Sequence, residues 1–288
     1  MINHPLNDLI QKHKLQTQED YKYTLRRIIQ EITLLGLWRA GFFEHSAFYG
    51  GTSLSIFHNL DRFSEDLDFS LLTQNEDFSL ESYLNSVRNE MISWGIEADV
   101  DSVKKTSDRI ESAFVKANTL NTFFSLSVPQ GICHNLHRNE MIKVKFELDP
   151  FPPCSFASEF RVLLDPLPFN VRLMSLPDQF AGKMHALLAR GWKERVKGRD
   201  WYDLIWFLKQ KIHLNIKHLG YRLKQSGHLN KSDKLTLLLL HEILQKRIKT
   251  IDFSKAKEDV RPFINDYRQL ENWSEGFFLK LVELVVIR

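Results

Sequence analysis

Between residues 96 and 173 the chain breaks into short runs rich in β-branched and aromatic residues, and on both sides of that block it does not. The runs are IEADVDSV, SAFVKA, TFFSLSV, MIKVKFELD and FRVLL, each long enough for one strand. Pro150, Pro152 and Pro153 stop the fourth of them. Upstream, Leu25, Ile28, Ile29, Ile32, Leu35 and Trp38 recur at helical spacing, and Thr17 with Asp20 three residues on starts that helix as a capping box. AFYGG reads as a short strand ending in a turn, TSLSIFHNL as a short helix and DLDFSLL as a strand. A further helix runs through SYLNSVRNEMISW, with Ser79 as its N-cap and Gly95 closing it. After MSLPDQ the pattern is helical almost to the last residue, Pro177 standing in a first turn. The expected fold is therefore α+β, a mixed sheet with a helical N-terminal segment and a C-terminal helical domain. The expected boundary divides the chain into 1–173 and 174–288.

A chain of 288 residues has room for about two domains. With 43% apolar and 26% charged residues it has the composition of a folded protein, not of a disordered one. Its longest apolar run, LTLLLL at 235–240, is too short to span a bilayer, and MINHPLNDLIQKHK lacks the pattern of a signal peptide. Cys133 and Cys154 do not make a disulfide framework, so the expected compartment is the cytoplasm, with no membrane partner. Charge is unevenly placed. Residues 1–174 carry 17 Lys and Arg against 23 Asp and Glu, whereas residues 175–288 carry 22 against 13. An acidic half joined to a basic one suits a catalytic module with a polyanion-binding surface; a Lys-rich solvated helical face gives the same count.

Chemistry concentrates in FYGGTSLSIFHNLDRFSEDLDFSLL, residues 48–72. Gly50 and Gly51 let the backbone approach a bulky ligand, and the N–H groups opening the next helix form a seat for phosphate. Thr52 and Ser53 add hydroxyl donors, and no Gly-Lys-[Ser/Thr] of a Walker loop is present. Asp66 and Asp68, two apart in a strand, point to one side while Leu67 and Phe69 face the core. Paired carboxylates repel unless a cation lies between them, which makes Mg²⁺ (or Mn²⁺) the candidate; two solvated acids at the mouth of a hairpin are the alternative. In IKVKFELD, Val144, Phe146 and Leu148 form the apolar face, leaving Lys143, Lys145, Glu147 and Asp149 on the other. Glu147, at the centre of that polar face, is preferred to Asp149 as a third carboxylate. Cys133, His134 and His137 lack the second ligand pair a zinc site needs.

GGTSLSIF…RFSEDLDF resembles the opening motif of the DNA polymerase β-like nucleotidyltransferase superfamily, with 13 residues between Thr52 and Asp66. RFSEDLDF is closer to one branch, the abortive-infection AbiE toxin-type nucleotidyltransferases of type IV toxin–antitoxin systems. That branch also has a helix with a Lys, here Lys183 in LPDQFAGKMHALLAR, and then a Lys-x-Arg-Asp-x-x-Asp-like segment, here KGRDWYDL. The resemblance implies a nucleotidyltransferase core acting on an NTP and a cellular RNA, expected to be tRNA, with a separate antitoxin. It implies that Gly50, Gly51, Thr52 and Ser53 hold the triphosphate and that Asp66, Asp68 and Glu147 bind the metal. Lys183 would bind phosphate, joined in nucleotide binding by Arg199, with Asp203 in the catalytic set. A protein-nucleotidylating enzyme, or a nucleotide-binding module without transfer, are the alternatives.

The same segments make sense as chemistry. Lys183, Leu187 and Arg190 share a helix face. Asp200 and Asp203 lie three apart at a helix start, where they could anchor Lys183 or Arg199, orient an attacking hydroxyl, or simply complete the helix's own contacts. RGWKERVKGRDWY supplies Arg190, Lys193, Arg195 and Lys197 as candidate nucleic-acid contacts, with Trp192 expected at the surface and Trp201 and Tyr202 expected in the core.

Overall fold

The computed structural model describes residues 5–103, 110–126, 128–134, 136–153, 156–190 and 196–288. Its contacts resolve into two compact units. The first comprises Met1–Ser53, Glu65–Pro152 and Phe160–Leu173; the second comprises Leu54–Ser64, Pro153–Glu159 and Met174–Arg288.

In the first unit α1 (Pro5–Gln11) precedes the long α2 (Gln18–Arg39). Thr17 caps α2 through a reciprocal box, its hydroxyl accepting from Asp20 N–H while the Asp20 carboxylate accepts from the Thr17 backbone. Then come β1 (Ser46–Tyr49), α3 (Gly50–His58), β2 (Leu67–Leu71) and α4 (Glu81–Ser93). Ser79 lies one residue ahead of the cap position yet accepts from Glu81 N–H, and Gly95 closes α4 in the left-handed region. β3 (Ala98–Val103), β4 (Glu111–Asn118), α5 (Thr119–Ser125), α6 (Gln130–Cys133), β5 (Met141–Asp149), β6 (Ser158–Leu163) and β7 (Phe169–Met174) follow. The seven strands form one mixed sheet in the order β3-β4-β5-β2-β1-β7-β6. β2 pairs antiparallel with β1 and parallel with β5, so two elements distant in sequence flank it.

One face of this sheet carries an aromatic core. Phe69 of β2 meets Phe42 edge-on at 5.0 Å and Phe48 of β1 at 5.2 Å, and all three are fully buried. α2 and α4 pack closely because Gly36 has no side chain: a Cβ there would lie 2.8 Å from the Val87 Cα. The sequence reading of TFFSLSV as a strand is corrected, since its first four residues lie in α5. Asn118 caps that helix, accepting from Asn121 N–H, and Thr122 donates back to the Asn118 carbonyl. These local side-chain bonds outweigh the β propensity of the two phenylalanines. FNVRLM forms β7, which the sequence reading left out.

The second unit is helical: α7 (Leu176–Ala189), α8 (Gly198–Lys209), α9 (Ile216–Gln225), α10 (Leu237–Ile248), α11 (Phe253–Val260) and α12 (Glu275–Val282). Phe180 of α7 stacks on Phe207 of α8 at 4.5 Å, and Trp201, Phe253 and Phe278 form a second aromatic group, with Leu54 and Leu60 joining the same core. Asp178, fully buried, ties three segments together: it accepts from Ala157 N–H, the Ser175 hydroxyl and the Asn215 amide. No helix among the described residues is long and apolar enough to cross a membrane.

α8 starts against α11 at Gly198. A Cβ there would collide with the backbone carbonyl of Ala256, which cannot move aside as the end of a flexible side chain can. Gly198→Ala is therefore expected to lower stability by about 3 kcal/mol, at the upper end of overpacking costs. Urea unfolding followed by circular dichroism checks this; a loss below about 0.5 kcal/mol, the range of surface changes, contradicts it.

Candidate active site

β1 ends at Tyr49 and α3 begins at once, so Gly50 to Ser53 form the first turn of a helix whose leading N–H groups have no acceptor within it. Gly50 takes φ +85°, a left-handed conformation, and a Cβ on it would run into the Asp68 carboxylate. Glycine is thus required twice, by backbone angle and by the side chain above it. Thr52 and Ser53 are buried, and the Thr52 hydroxyl donates to the Asp66 carbonyl at 2.5 Å. That bond fixes the turn to the start of β2.

The sheet register assembles the acids. Asp68 lies opposite Tyr49 on β1 and opposite Glu147 on β5. Because β2 and β5 are parallel and in register, the Asp68 and Glu147 side chains project to the same face. Asp66, just ahead of β2, is exposed, while Asp68 and Glu147 are half-buried. Asp149 is two positions further along, opposite Ser70, and its carboxylate accepts from Phe151 N–H at the strand end. Glu147 itself receives the Lys145 ammonium and, at 3.4 Å, the Ser112 hydroxyl. A cation already neutralises this carboxylate.

Among the described residues no three or more His, Cys, Asp or Glu converge as a ready metal cluster. The donor chemistry nevertheless fits a hard divalent ion: carboxylate oxygens only, two of them at matched register, over a glycine that leaves room for nothing larger. Cys133 is a buried free thiol, and Cys154 lies outside the described residues.

In the second unit Asp203 is the centre of a buried ion network. Its carboxylate is fully buried and takes two hydrogen bonds from Arg62, Nε at 2.6 Å and Nη2 at 2.7 Å, and the Lys183 ammonium at 2.8 Å. Burial alone would push the Asp203 carboxyl up. The Arg62 and Lys183 charges outweigh it and lower the pKa from 3.8 to about 2. Arg62 also donates to the Phe63 carbonyl at 2.9 Å. Burial opposes the charge on its guanidinium, and Asp203 outweighs that and raises its pKa. With three cationic donors and no exposed surface, Asp203 holds Lys183 in place. Lys183 keeps 18% of its side chain accessible.

Asp200 is buried, with Arg190 Nη1 3.1 Å from its carboxylate. Arg199 lies over the Phe263 ring at 4.0 Å, with Asp259 at 3.9 Å. Burial, reinforced by Arg190, pulls the Lys197 ammonium below its usual range. Trp201 and Tyr202 are buried in the core, as expected from the sequence. Trp192, Lys193 and Arg195 lie outside the described residues. Arg62 is the residue the sequence reading passed over. Its signal was faint: one arginine among acidic residues in DRFSEDLDF.

The chain belongs to the nucleotidyl transferase AbiEii toxin family of type IV toxin–antitoxin systems, whose profile matches residues 32–277. MenT4, a nucleotidyltransferase toxin from Mycobacterium tuberculosis H37Rv, superposes with a TM-score of 0.59 at 18% identity, covering 96% of this chain and 88% of that one. A crystal structure from H. pylori, of a protein assigned as a nucleotidyltransferase, gives 0.51 at 20% identity, covering 91% and 93%. At these identities the two likenesses speak to the fold. No curated protein matches the sequence.

Removing Arg62 leaves a buried carboxylate with half its charge compensation, a change that costs roughly 3 to 5 kcal/mol. Asp203 has its folded pKa below the unfolded value, so its contribution is present above pH 4 and lost as pH falls toward 2. In Arg62→Ala the burial effect prevails and the Asp203 pKa rises. Acid unfolding followed by tryptophan fluorescence is expected to move to higher pH in the variant. An unchanged acid midpoint with unchanged neutral stability contradicts the network.

Proposed function

We propose that this chain transfers a nucleotide from an NTP to an acceptor RNA, with tRNA the expected class, and does so with Mg²⁺ (or Mn²⁺). The observation that carries the reading is the stacking of Gly50 under Asp68, with Asp68 in register with Glu147. A phosphate seat and an acidic cation seat then lie side by side on the central strands of the sheet, which is what phosphoryl transfer asks of a protein. Family membership supports the class of reaction.

In this reading the backbone N–H groups of Gly50, Gly51, Thr52 and Ser53 hold the triphosphate, the Thr52 hydroxyl keeping their turn on the end of β2. Asp66, Asp68 and Glu147 would hold the metal, which when bound supplies charge neutralisation and a more acidic acceptor hydroxyl. To help hold it, Glu147 would have to give up its Lys145 partner. The acceptor oxygen forms a bond to the α-phosphorus, the α–β bridging bond breaks, pyrophosphate leaves and the hydroxyl proton passes to solvent. Lys183 is given the phosphate-binding role the family resemblance implies, and Asp203 positions its ammonium. Arg199 is retained as a nucleotide contact by the same resemblance, its guanidinium held flat by Phe263. Arg190, Lys193, Arg195 and Lys197 are proposed to meet the RNA backbone. The proposed biological role is that of a cytoplasmic toxin acting in abortive infection and restrained by a cognate antitoxin, and membership of a toxin–antitoxin family supports it.

Asp66→Asn and Asp68→Asn are expected to abolish incorporation from labelled NTP while leaving stability nearly unchanged, because removing like charge relieves the metal-free protein. Lys183→Ala is expected to slow transfer on the order of 10²-fold, as when a preorganised charge stabiliser is lost. Asp203→Asn acts through the same ammonium, so the double variant should be far less impaired than the product of the singles. Wild-type incorporation by either acid-pair variant would overturn the metal assignment; multiplicative losses would separate Lys183 from Asp203.

A further inference from the structure

α9, the segment 232–237 and the last two residues enclose a groove of about 600 Å³ on the second unit. Lys217, Lys224, Lys234 and Arg288 line it, and none of these four side chains has an ion pair or hydrogen bond among the described residues. Asp233 is the one acidic side chain in the lining, and its carboxylate is already bonded by Asn230 and Ser232. Tyr221 lies on the same helix face as Lys217 and Lys224 and is 52% exposed. Between these groups the lining is apolar, from Ile216, Leu235 and Ile287.

The cations of the RGWKERVKGRDWY segment that the structure describes are engaged differently. There Arg190 is paired with Asp200, and Arg199 stacks on Phe263 beside Asp259. Unpaired cations cost nothing to hydrate at a surface, but four around one concavity raise its potential and attract anions. An acidic protein segment and a nucleic-acid strand both complement such a groove. Two observations favour the strand. Positive charge is in excess over the whole of residues 175–288, 22 Lys and Arg against 13 Asp and Glu, which suits an extended polyanion more than a local acidic patch. An exposed tyrosine beside apolar lining is also a surface on which a base can stack.

We propose that this groove binds single-stranded RNA, phosphates on Lys217, Lys224, Lys234 and Arg288 and a base on Tyr221. The inference rests on the reading of RNA as acceptor and gives that RNA a seat outside residues 190–199.

The test is fluorescence anisotropy of a short fluorescein-labelled single-stranded RNA titrated with the full chain, without NTP or divalent metal, so that binding is read apart from transfer. The triple variant Lys217→Glu, Lys224→Glu, Lys234→Glu is expected to bind on the order of 10²-fold more weakly at low salt, with the slope of log affinity against log salt shallower by roughly 2. The control Lys246→Glu, Lys249→Glu, Lys280→Glu makes the same change in net charge at exposed positions and is expected to cost less than about fivefold, through screened long-range charge alone. Tyr221→Ala, which leaves every charge in place, should weaken binding about tenfold with the slope unchanged. Equal losses in the two triples would mean diffuse binding and would overturn the groove. So would displacement of the RNA by a poly-glutamate peptide at equal charge, which would make an acidic protein the occupant. Groove-dependent RNA binding without transfer to any RNA would keep this site and reject RNA as the acceptor.

Discussion

A fully buried aspartate ionised at neutral pH organises the second unit. Taking Asp203, Arg62 and Lys183 out of water is costly for each ion, and such a network persists only when its geometry satisfies nearly every donor and acceptor. Here it does. The two Arg62 bonds are short and bidentate, and Lys183 meets Oδ2 as a third donor. The consequence is positional. α7 and α8 bring Lys183 and Asp203, whereas Arg62 comes from the short segment 54–64, far away in sequence. Phe63 N–H adds a 2.7 Å bond to the Phe263 carbonyl, so backbone and side chain hold that segment to the helical unit together.

That anchorage bears on the motif from which the segment emerges. The glycine turn precedes Leu54 and the acid pair follows Ser64, and both belong to the first unit. The residues between them form no free loop. In the first unit the turn and acids are locked separately, by Thr52 on the Asp66 carbonyl and by Asp68 against Gly50. The fit of glycine under the carboxylate is close: any side chain at 50 would run into the Asp68 side chain. The glycine turn and the acidic strand pair are therefore one geometric object, built from β2, β5 and the first turn of α3.

Much of this was legible in residues 17–95. The Thr17–Asp20 box, the helical spacing through α2 and the closing Gly95 follow from local rules, and local rules held there. They failed where a local bond competed with propensity, as at α5, whose Phe123 and Phe124 read as strand until Asn118 is seen to cap them. β7 escaped because its six residues sit between a proline-rich stretch and a helix start, and its place in the sheet comes from parallel pairing with β1, which no neighbouring residue encodes. Arg62 escaped for a related reason. Its partner lies 141 residues on, and a single arginine carries no periodicity.

The charge asymmetry of the sequence had two readings, a docking surface or a solvated helical face, and the structure divides the cations between different tasks. Those nearest the KGRDWYDL motif serve the fold: Arg62 and Lys183 neutralise Asp203, Arg190 meets Asp200, and Arg199 lies on Phe263. A cation already matched to a buried acid adds little to the external field, because its charge is cancelled at close range. What remains of the excess over residues 175–288 is carried by side chains such as Lys217, Lys224 and Lys234, which answer no carboxylate. A count of charges along the sequence cannot make this distinction, since Lys183 and Lys217 contribute equally to it. Burial of the partner acid makes it: a cation matched to an aspartate inside adds little to the outer field, and one that answers no acid adds its full charge.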